Sequence, residues 1–160
     1  MAEKNLESVK EEYGKLQEKY GLPSFDDLNA DFYAEKVAEN ETDFLLRAIR
    51  ALIADRFFNY LRFIESLLNP VNVPMFAFSI IKTLKEEDKE KLTKMYKKLA
   101  KHEVDLIELD INPSEEQEAR FIKDSYGLWQ EIKTDFKEIV EIIKKNWDAK
   151  NEAGKGGYFG

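Results

Sequence analysis

The chain has 160 residues, no cysteine and a formal net charge of −7. This length fits one domain with one hydrophobic core. The lack of cysteine excludes a disulfide framework, a thiolate nucleophile and a cysteine-based zinc site. The acidic balance disfavours a general nucleic-acid scaffold, because duplex affinity comes largely from clustered lysine and arginine.

The amino-terminal residues form a charged helical pattern without the apolar core of a secretory signal. Arginine and acidic residues interrupt even the most apolar stretch, whereas a spanning helix needs ~20 residues with few or no charges. We therefore expect a cytoplasmic protein with no membrane partner. Abundant lysine and glutamate without cysteine also suit a thermophilic protein.

The first 20 residues carry apolar side chains at spacings of 3 and 4, which predicts a helix with one narrow apolar edge. Gly21 and Pro23 then predict a helix end and a turn, and Ser24 predicts the cap of a short helix. A further short helix is expected from Asp31 to Ala38. This narrow edge either packs into the bundle or contacts a second copy of the chain. In the second case, residues 1–40 form a peripheral or dimerising arm. Its interface candidates are Leu6, Val9, Tyr13, Leu16 and Tyr20.

The most apolar stretch covers residues 42–68 and predicts a central helix. Of the 25 residues from Phe44 to Leu68, 17 are apolar, so this helix needs neighbours on most of its sides. Asn40 and Thr42 compete as its cap, and Asn69-Pro70 ends it because proline disfavours a helical residue before it.

Two further helices follow the central one. Pro74 favours a helix start, and the segment Met75–Leu84 is so apolar that we expect it to pack back on the central helix. The segment Lys85–Asp110 reads as an amphipathic helix. Its expected inward residues are Leu92, Met95, Tyr96, Leu99, Leu106 and Ile107.

The last helix has the clearest start. Ser114 and Gln117 match a capping box, and helical spacing continues to Asp148. Residues 151–160 predict a flexible tail, because four of the seven glycines fall within the last seven residues. Tyr158 and Phe159 in that tail either are disordered or dock onto another protein.

These elements predict an all-α fold, since no strand-like alternation occurs with hairpin turn signals. We expect a single-domain helical bundle of four to six helices over residues 1–150. The helices Lys85–Asp110 and Ser114–Asp148 should form an antiparallel pair against the central helix.

One arginine is predicted to lie on the apolar side of the central helix. Arg56 falls in its apolar sector, while Glu103, Asp110 and Glu118 fall on the inward faces of later helices. A lone buried charge is costly, so Arg56 should meet one of these carboxylates. The favoured interpretation is an ion pair that sets helix register, or an arginine whose stem runs along the core and whose charged end reaches water. The alternatives are a pocket for acid–base or anion-binding chemistry and a polar patch that faces a partner chain.

The single histidine limits the possible chemistry. A di-iron bundle needs a Glu-x-x-His pair on each of two helices, but Leu99 lies three residues before His102. His102 and Asp105 lie one turn apart, although a lone histidine at the edge of an apolar face is usually structural. Neither a nucleophilic pair nor a phosphate-binding glycine loop is present. We expect no metal, no cofactor and a binding role rather than catalysis.

A local basic patch stands out on this acidic chain. Its residues are Lys94, Lys97, Lys98 and Lys101. A solvated helix face is the favoured interpretation, and contact with nucleic acid or another anion is the alternative.

The leading functional hypothesis is a non-enzymatic protein–protein interaction or adaptor module that binds a protein partner or itself. One alternative is a small-ligand binder or enzyme with an interhelical pocket at Arg56. The other is a nucleic-acid-associated protein that uses the lysine patch.

Overall fold

The computed structural model describes the backbone of residues 5–157 and the side chains of residues 5–152. Within this range the protein is all α, without a strand, as predicted. The helices are α1 (Leu6–Tyr20), α2 (Phe25–Phe32), a 3-10 helix (Ala34–Glu39), α3 (Leu45–Leu68), α4 (Met75–Ile81), α5 (Glu86–Ile111) and α6 (Glu115–Gly157).

Local capping residues set three helix ends where the sequence predicts them. Gly21 ends α1 in the left-handed conformation, with φ of 66°, which glycine adopts without steric cost. The Ser24 hydroxyl accepts from the Asp27 amide at 3.1 Å, and the Ser114 hydroxyl accepts from the Gln117 amide at 3.2 Å. Each cap satisfies an amide that the helix itself leaves without a partner.

Two other boundaries differ from the prediction. The helix expected over Asp31–Ala38 is split, because α2 ends at Phe32 and a separate 3-10 helix follows. The last helix continues to Gly157 instead of ending at Asp148, since no proline or capping residue stops it there. Residues 151–157 of the expected tail are therefore helical. Tyr158 and Phe159 lie outside the described residues, and their docking role stays a prediction.

The contacts of the chain define two compact units. Unit 1 comprises Met1–Asn59 and Ala100–Trp129, and unit 2 comprises Tyr60–Leu99 and Gln130–Gly160. Helices α3, α5 and α6 contribute residues to both. The single domain expected over residues 1–150 stays a prediction, because this division does not test independent folding. Charge divides unevenly: unit 1 has 11 basic and 21 acidic residues, and unit 2 has 14 basic and 11 acidic residues.

Helix α1 closes the core of unit 1. Val9 and Tyr13 are 0% exposed, and the Tyr13 hydroxyl donates to the Pro23 carbonyl at 2.6 Å. These two residues are therefore unavailable for the self-association that the narrow apolar edge suggested. The remaining members of that edge, Leu6, Leu16 and Tyr20, are half-buried.

The core of unit 1 also uses α3, which runs antiparallel to α5. Arg50 pairs with Asp110, and Phe57 contacts His102, so residues later on α3 meet residues earlier on α5. The buried hydrophobic residues of this unit are Val9, Tyr13, Leu22, Phe25, Leu28, Phe32, Ala34, Val37, Leu45, Leu46, Ile49, Ile53, Phe57, Leu109, Ala119, Phe121 and Ile122.

In unit 2, α5 and α6 form the antiparallel pair that the sequence predicts. Lys91 pairs with Glu138 at 3.3 Å, and Lys98, two turns later on α5, pairs with Glu131, which lies two turns earlier on α6. The buried hydrophobic residues are Leu61, Ile64, Leu67, Ile80, Ile81, Leu84, Leu92, Met95, Leu99, Ile132 and Ile139. Among the described residues, no helix combines the length and the apolarity that crossing a bilayer requires.

Candidate functional site

The buried face of α5 in unit 1 differs from the predicted one. Ile107, expected to point inward, is 54% exposed, whereas Leu109 is 4% exposed and His102 is buried. The inward stripe thus continues through His102, the half-buried Leu106 and Leu109, at the same spacing of 3 and 4 that precedes it. Glu103 is consequently half-buried and Asp110 is exposed. The prediction that both point into the core is therefore wrong.

Glu118 is buried, and two arginines neutralise it. Its Oε1 accepts from Arg47 Nε at 3.1 Å and lies 3.8 Å from Arg50 Nε. Arg50 Nη1 also donates to Asp110 Oδ1 at 2.8 Å. The Glu118 side chain is 5% exposed and that of Arg50 is 11% exposed, so the positive charges offset the cost of removing the carboxylate from water.

The buried arginine is Arg50, and the prediction for Arg56 is wrong. Arg56 is exposed. Arg50 and Arg56 lie three residues before and three residues after Ile53, which is 0% exposed, so helical periodicity places both at the edges of the buried face. The acceptors Asp110 and Glu118 lie beside Arg50. Which of the two arginines is buried and paired therefore depends on the neighbouring helices.

His102 and Ser125 join α5 to α6 in unit 1. The His102 Nε2 atom lies 2.6 Å from the Ser125 hydroxyl oxygen, and that hydroxyl donates its own proton to the Phe121 carbonyl at 2.6 Å. Because a serine hydroxyl has one proton, its oxygen can only accept from His102, so Nε2 carries a hydrogen. The imidazole also stacks on the Phe121 ring, with 4.4 Å between the ring centroids.

The protonation of His102 follows from its surroundings. Burial lowers the pKa of His102 below its ordinary value, while the carboxylates of Asp105 and Asp124 raise it to a smaller extent. The neutral form, with its hydrogen on Nε2, is therefore favoured at neutral pH. Its Nδ1 then has a free lone pair and makes no hydrogen bond to any protein atom that the structure describes.

A polar cleft of about 290 Å³ opens beside His102. It is lined by His102, Asp105, Glu108, Leu109, Gln117, Arg120, Phe121 and Asp124. Three carboxylates and one guanidinium give it a negative balance, which suits a small cation. Among residues 5–152, no group of three or more histidine, cysteine or acidic side chains has the arrangement that would hold a metal ion.

Helix α5 has a second apolar stripe, which faces outward from unit 1. Val104, Ile107 and Ile111 are 59%, 54% and 80% exposed. At ~100° per residue, this stripe lies about 140° around the helix axis from the buried one. We name these three residues the α5 stripe. Sequence reasoning missed it, although the spacing of 3 and 4 was present as a signal.

Unit 2 has a separate exposed group, which we name the aromatic patch. Its residues are Val71, Met75, Phe76, Phe78 and Trp147, with exposed fractions of 73%, 85%, 39%, 41% and 44%. The prediction that the segment Met75–Leu84 packs inward is wrong for the first turn of α4, since only Ile80, Ile81 and Leu84 of that segment are buried.

The lysine patch is exposed at all four predicted positions. In unit 2, Lys98 pairs with Glu131 across α5 and α6. In unit 1, Lys101 pairs with Asp105 at 2.6 Å, one turn along α5. Two of the four positive charges are thus balanced by nearby carboxylates, which lowers their attraction for a phosphate backbone.

Comparisons of the chain with protein-family models, curated proteins and solved structures found no match. Its function is therefore argued from the residues described above.

Proposed function

We propose that this protein is a non-enzymatic interaction module, and that it binds a helix of a partner protein along the α5 stripe. The single observation that carries this proposal is the second apolar stripe of α5. The opposite stripe, with Leu109 at 4% exposed, closes the core of unit 1, whereas Ile107 and Ile111 are 54% and 80% exposed. Apolar residues at this spacing suit the docking of another helix.

The charges around the α5 stripe favour a basic partner. Glu103 and Asp110 flank one edge of the stripe. Glu108 flanks the other, together with Lys101, whose charge Asp105 balances. Unit 1 as a whole has 21 acidic and 11 basic residues. A second copy would bring like charges together along the stripe, whereas a helix with lysine or arginine beside its apolar face would complement it. We therefore favour a different protein over self-association.

The size of the stripe suggests a transient complex. Val104 and Ile111 are seven residues apart, which corresponds to about 10 Å of helix. A contact of two turns buries a small area, as in weak and reversible signalling encounters. Acidic flanks also accelerate the encounter with a basic partner and make it sensitive to salt.

The test places a photoreactive benzoylphenylalanine at position 107 of the full chain in its native cells. The crosslinked partner is identified, purified and titrated against the purified protein. Ile107→Ser combined with Ile111→Ser should weaken binding by at least about tenfold, because the apolar anchors are lost. Added salt should weaken the wild-type complex further.

The matched control is Val71→Ser combined with Met75→Ser, which removes two exposed apolar side chains from unit 2. This control should bind the partner as the wild type does. An equal loss for both double variants would contradict the proposal, because it would show no selectivity for the α5 stripe. Crosslinks to the same chain alone would point instead to self-association.

A second candidate function is the binding of a small organic cation in the cleft beside His102. The observation in its favour is the Nδ1 lone pair of a buried histidine next to Asp105 and Asp124. The alternative of a pocket around Arg56 has no support, since Arg56 is exposed. In NMR titrations with 1,4-diaminobutane, the His102 ring resonances should shift in the wild type, and an unchanged spectrum at millimolar ligand would exclude this class.

The nucleic-acid alternative rests on Lys94 and Lys97, which are exposed and have no carboxylate within ion-pair distance among the described residues. It predicts binding of single-stranded or duplex oligonucleotides that weakens steeply with salt. We regard it as the weakest candidate, because the chain has a net charge of −7.

A further inference from the structure

We propose that the aromatic patch of unit 2 is a docking surface for anionic lipid bilayers. This proposal concerns a different surface from the α5 stripe and does not rest on the function proposed above. It revises our expectation of no membrane partner, because that expectation considered spanning segments only. A peripheral contact needs a small group of apolar side chains and nearby positive charge.

Two side chains of the patch are strongly exposed. Met75 is 85% exposed and Val71 is 73% exposed, so these side chains have few neighbours of their own. Insertion into the headgroup region requires no shape-matched partner, so strongly exposed apolar side chains suit it. Met75, Phe78 and Trp147 are also residue types with large apolar area, and tryptophan is enriched at membrane interfaces.

Contacts within unit 2 hold the patch in place. The rings of Phe76 and Trp147 meet edge to face, with 4.7 Å between their centroids. Close by, Asn146 of α6 donates to the Thr83 hydroxyl, just after α4, at 2.8 Å. These two contacts connect α4 to α6, so little ordering entropy remains to be lost when the patch binds.

Three lysines lie about one helical turn from members of the patch. On α6, Lys144 and Lys150 lie three residues before and three residues after Trp147, one turn away on the same side of the helix. Lys82, the residue just after α4, follows Phe78 by one turn. All three lysines are exposed, and their long stems can extend along apolar surface while their ammonium groups reach lipid phosphates.

The net charge of the whole chain does not oppose this contact. The acidic excess belongs to unit 1, whereas unit 2 has 14 basic and 11 acidic residues. At physiological ionic strength the Debye length is about 8 Å, so the charges next to the patch dominate its interaction with a surface. A second copy is disfavoured as the occupant, because the same lysines would repel each other across the contact.

The test uses the full chain and the fluorescence of Trp147. The protein has two tryptophans, so Trp129→Phe leaves Trp147 as the only reporter. The probe is a phosphatidylcholine vesicle with or without phosphatidylglycerol. With the anionic vesicles, we expect a blue shift of the emission, protection from iodide, and quenching by lipids with brominated acyl chains. Pure phosphatidylcholine should give a weaker response.

Two double variants in this background separate the contributions. Met75→Ser with Phe78→Ser, and Lys144→Glu with Lys150→Glu, should each weaken vesicle binding by about tenfold or more. The matched control, Val104→Ser with Ile111→Ser, removes two exposed apolar side chains from unit 1 and should bind vesicles as the parent does. Far-UV circular dichroism and urea midpoints verify that each variant is folded.

Three results would overturn the proposal. The first is an emission of Trp147 that does not change with anionic vesicles. The second is equal binding by the Met75→Ser/Phe78→Ser variant and its parent. The third is a dimer in sedimentation velocity, without lipid, that only the patch variant disrupts, since the occupant would then be a second copy.

Discussion

His102 donates from Nε2 to the Ser125 hydroxyl across α5 and α6, and the 2.6 Å hydrogen bond from Ser125 to the Phe121 carbonyl fixes this direction. The arrangement holds one buried imidazole in one tautomer and leaves its Nδ1 as an acceptor beside the polar cleft. A residue that the sequence presents as a lone structural histidine thus links two helices of unit 1 and borders a candidate ligand site.

The lowered pKa of His102 predicts loss of stability in mild acid. Burial lowers the pKa in the folded state, so the unfolded chain takes up a proton first, at about pH 6.5. The contribution of His102 is fully present above that pH and declines as the pH falls towards its folded pKa. Urea unfolding of the wild type and His102→Gln from about pH 7.5 to about pH 5 should show a steeper decline for the wild type. Parallel curves would contradict this assignment.

Ser125→Ala should destabilise the protein by about 1–3 kcal/mol, because the buried His102 Nε2–H loses its acceptor. The matched control is Ser66→Ala. The Ser66 hydroxyl likewise donates to a backbone carbonyl of its own helix, that of Phe63, at 2.6 Å, but it accepts from no histidine. The control should change the free energy of unfolding by less than the Ser125 variant does. Urea titrations of both variants at neutral pH give the comparison.

Arg50→Met should cost about 1–3 kcal/mol of stability, because Glu118 keeps only Arg47 and Asp110 loses its partner. Arg56→Met should change stability by less than about 0.5 kcal/mol, as is usual for exposed positions. The two variants make the same substitution on the same helix, so propensity effects cancel. If chemical denaturation shows a larger loss of stability for Arg56→Met than for Arg50→Met, the prediction that Arg56 is the buried, paired arginine would be restored.

Tyr13→Phe should lower the free energy of unfolding by about 1 kcal/mol, since the Pro23 carbonyl loses its donor while the ring packing on Phe25 is retained. Tyr20→Phe is the matched control, because its hydroxyl donates to Glu115 at an exposed position, and it should cost less. Sedimentation velocity should show the same oligomeric state for the wild type and both variants. A change of state in Tyr13→Phe would revive the dimerising role of α1.

Helix ends could be predicted because their causes are local. Gly21, Ser24 and Ser114 act on backbone groups within about four residues of themselves, and the structure places α1, α2 and α6 accordingly. The all-α class followed in the same way from hydrophobic spacing and proline positions. The end of α6 was missed, because glycines weaken a helix without stopping it as a proline does.

The buried face of each helix could not be predicted with the same success. Arg50 and Arg56 are equivalent about Ile53, and α5 has two apolar stripes, one with Leu109 and one with Ile107. A periodic pattern shows which residues share a face but not which face meets a neighbour.

The sequence by itself determined the helical class of this protein, the positions of its helices and several of their ends, because these depend on short-range backbone chemistry. Only the tertiary structure decided that Glu118 meets Arg47 and Arg50, that His102 meets Ser125, and that the aromatic patch is exposed. Those outcomes depend on which residues far apart in the chain come together, since burial and pairing are properties of the packed helices.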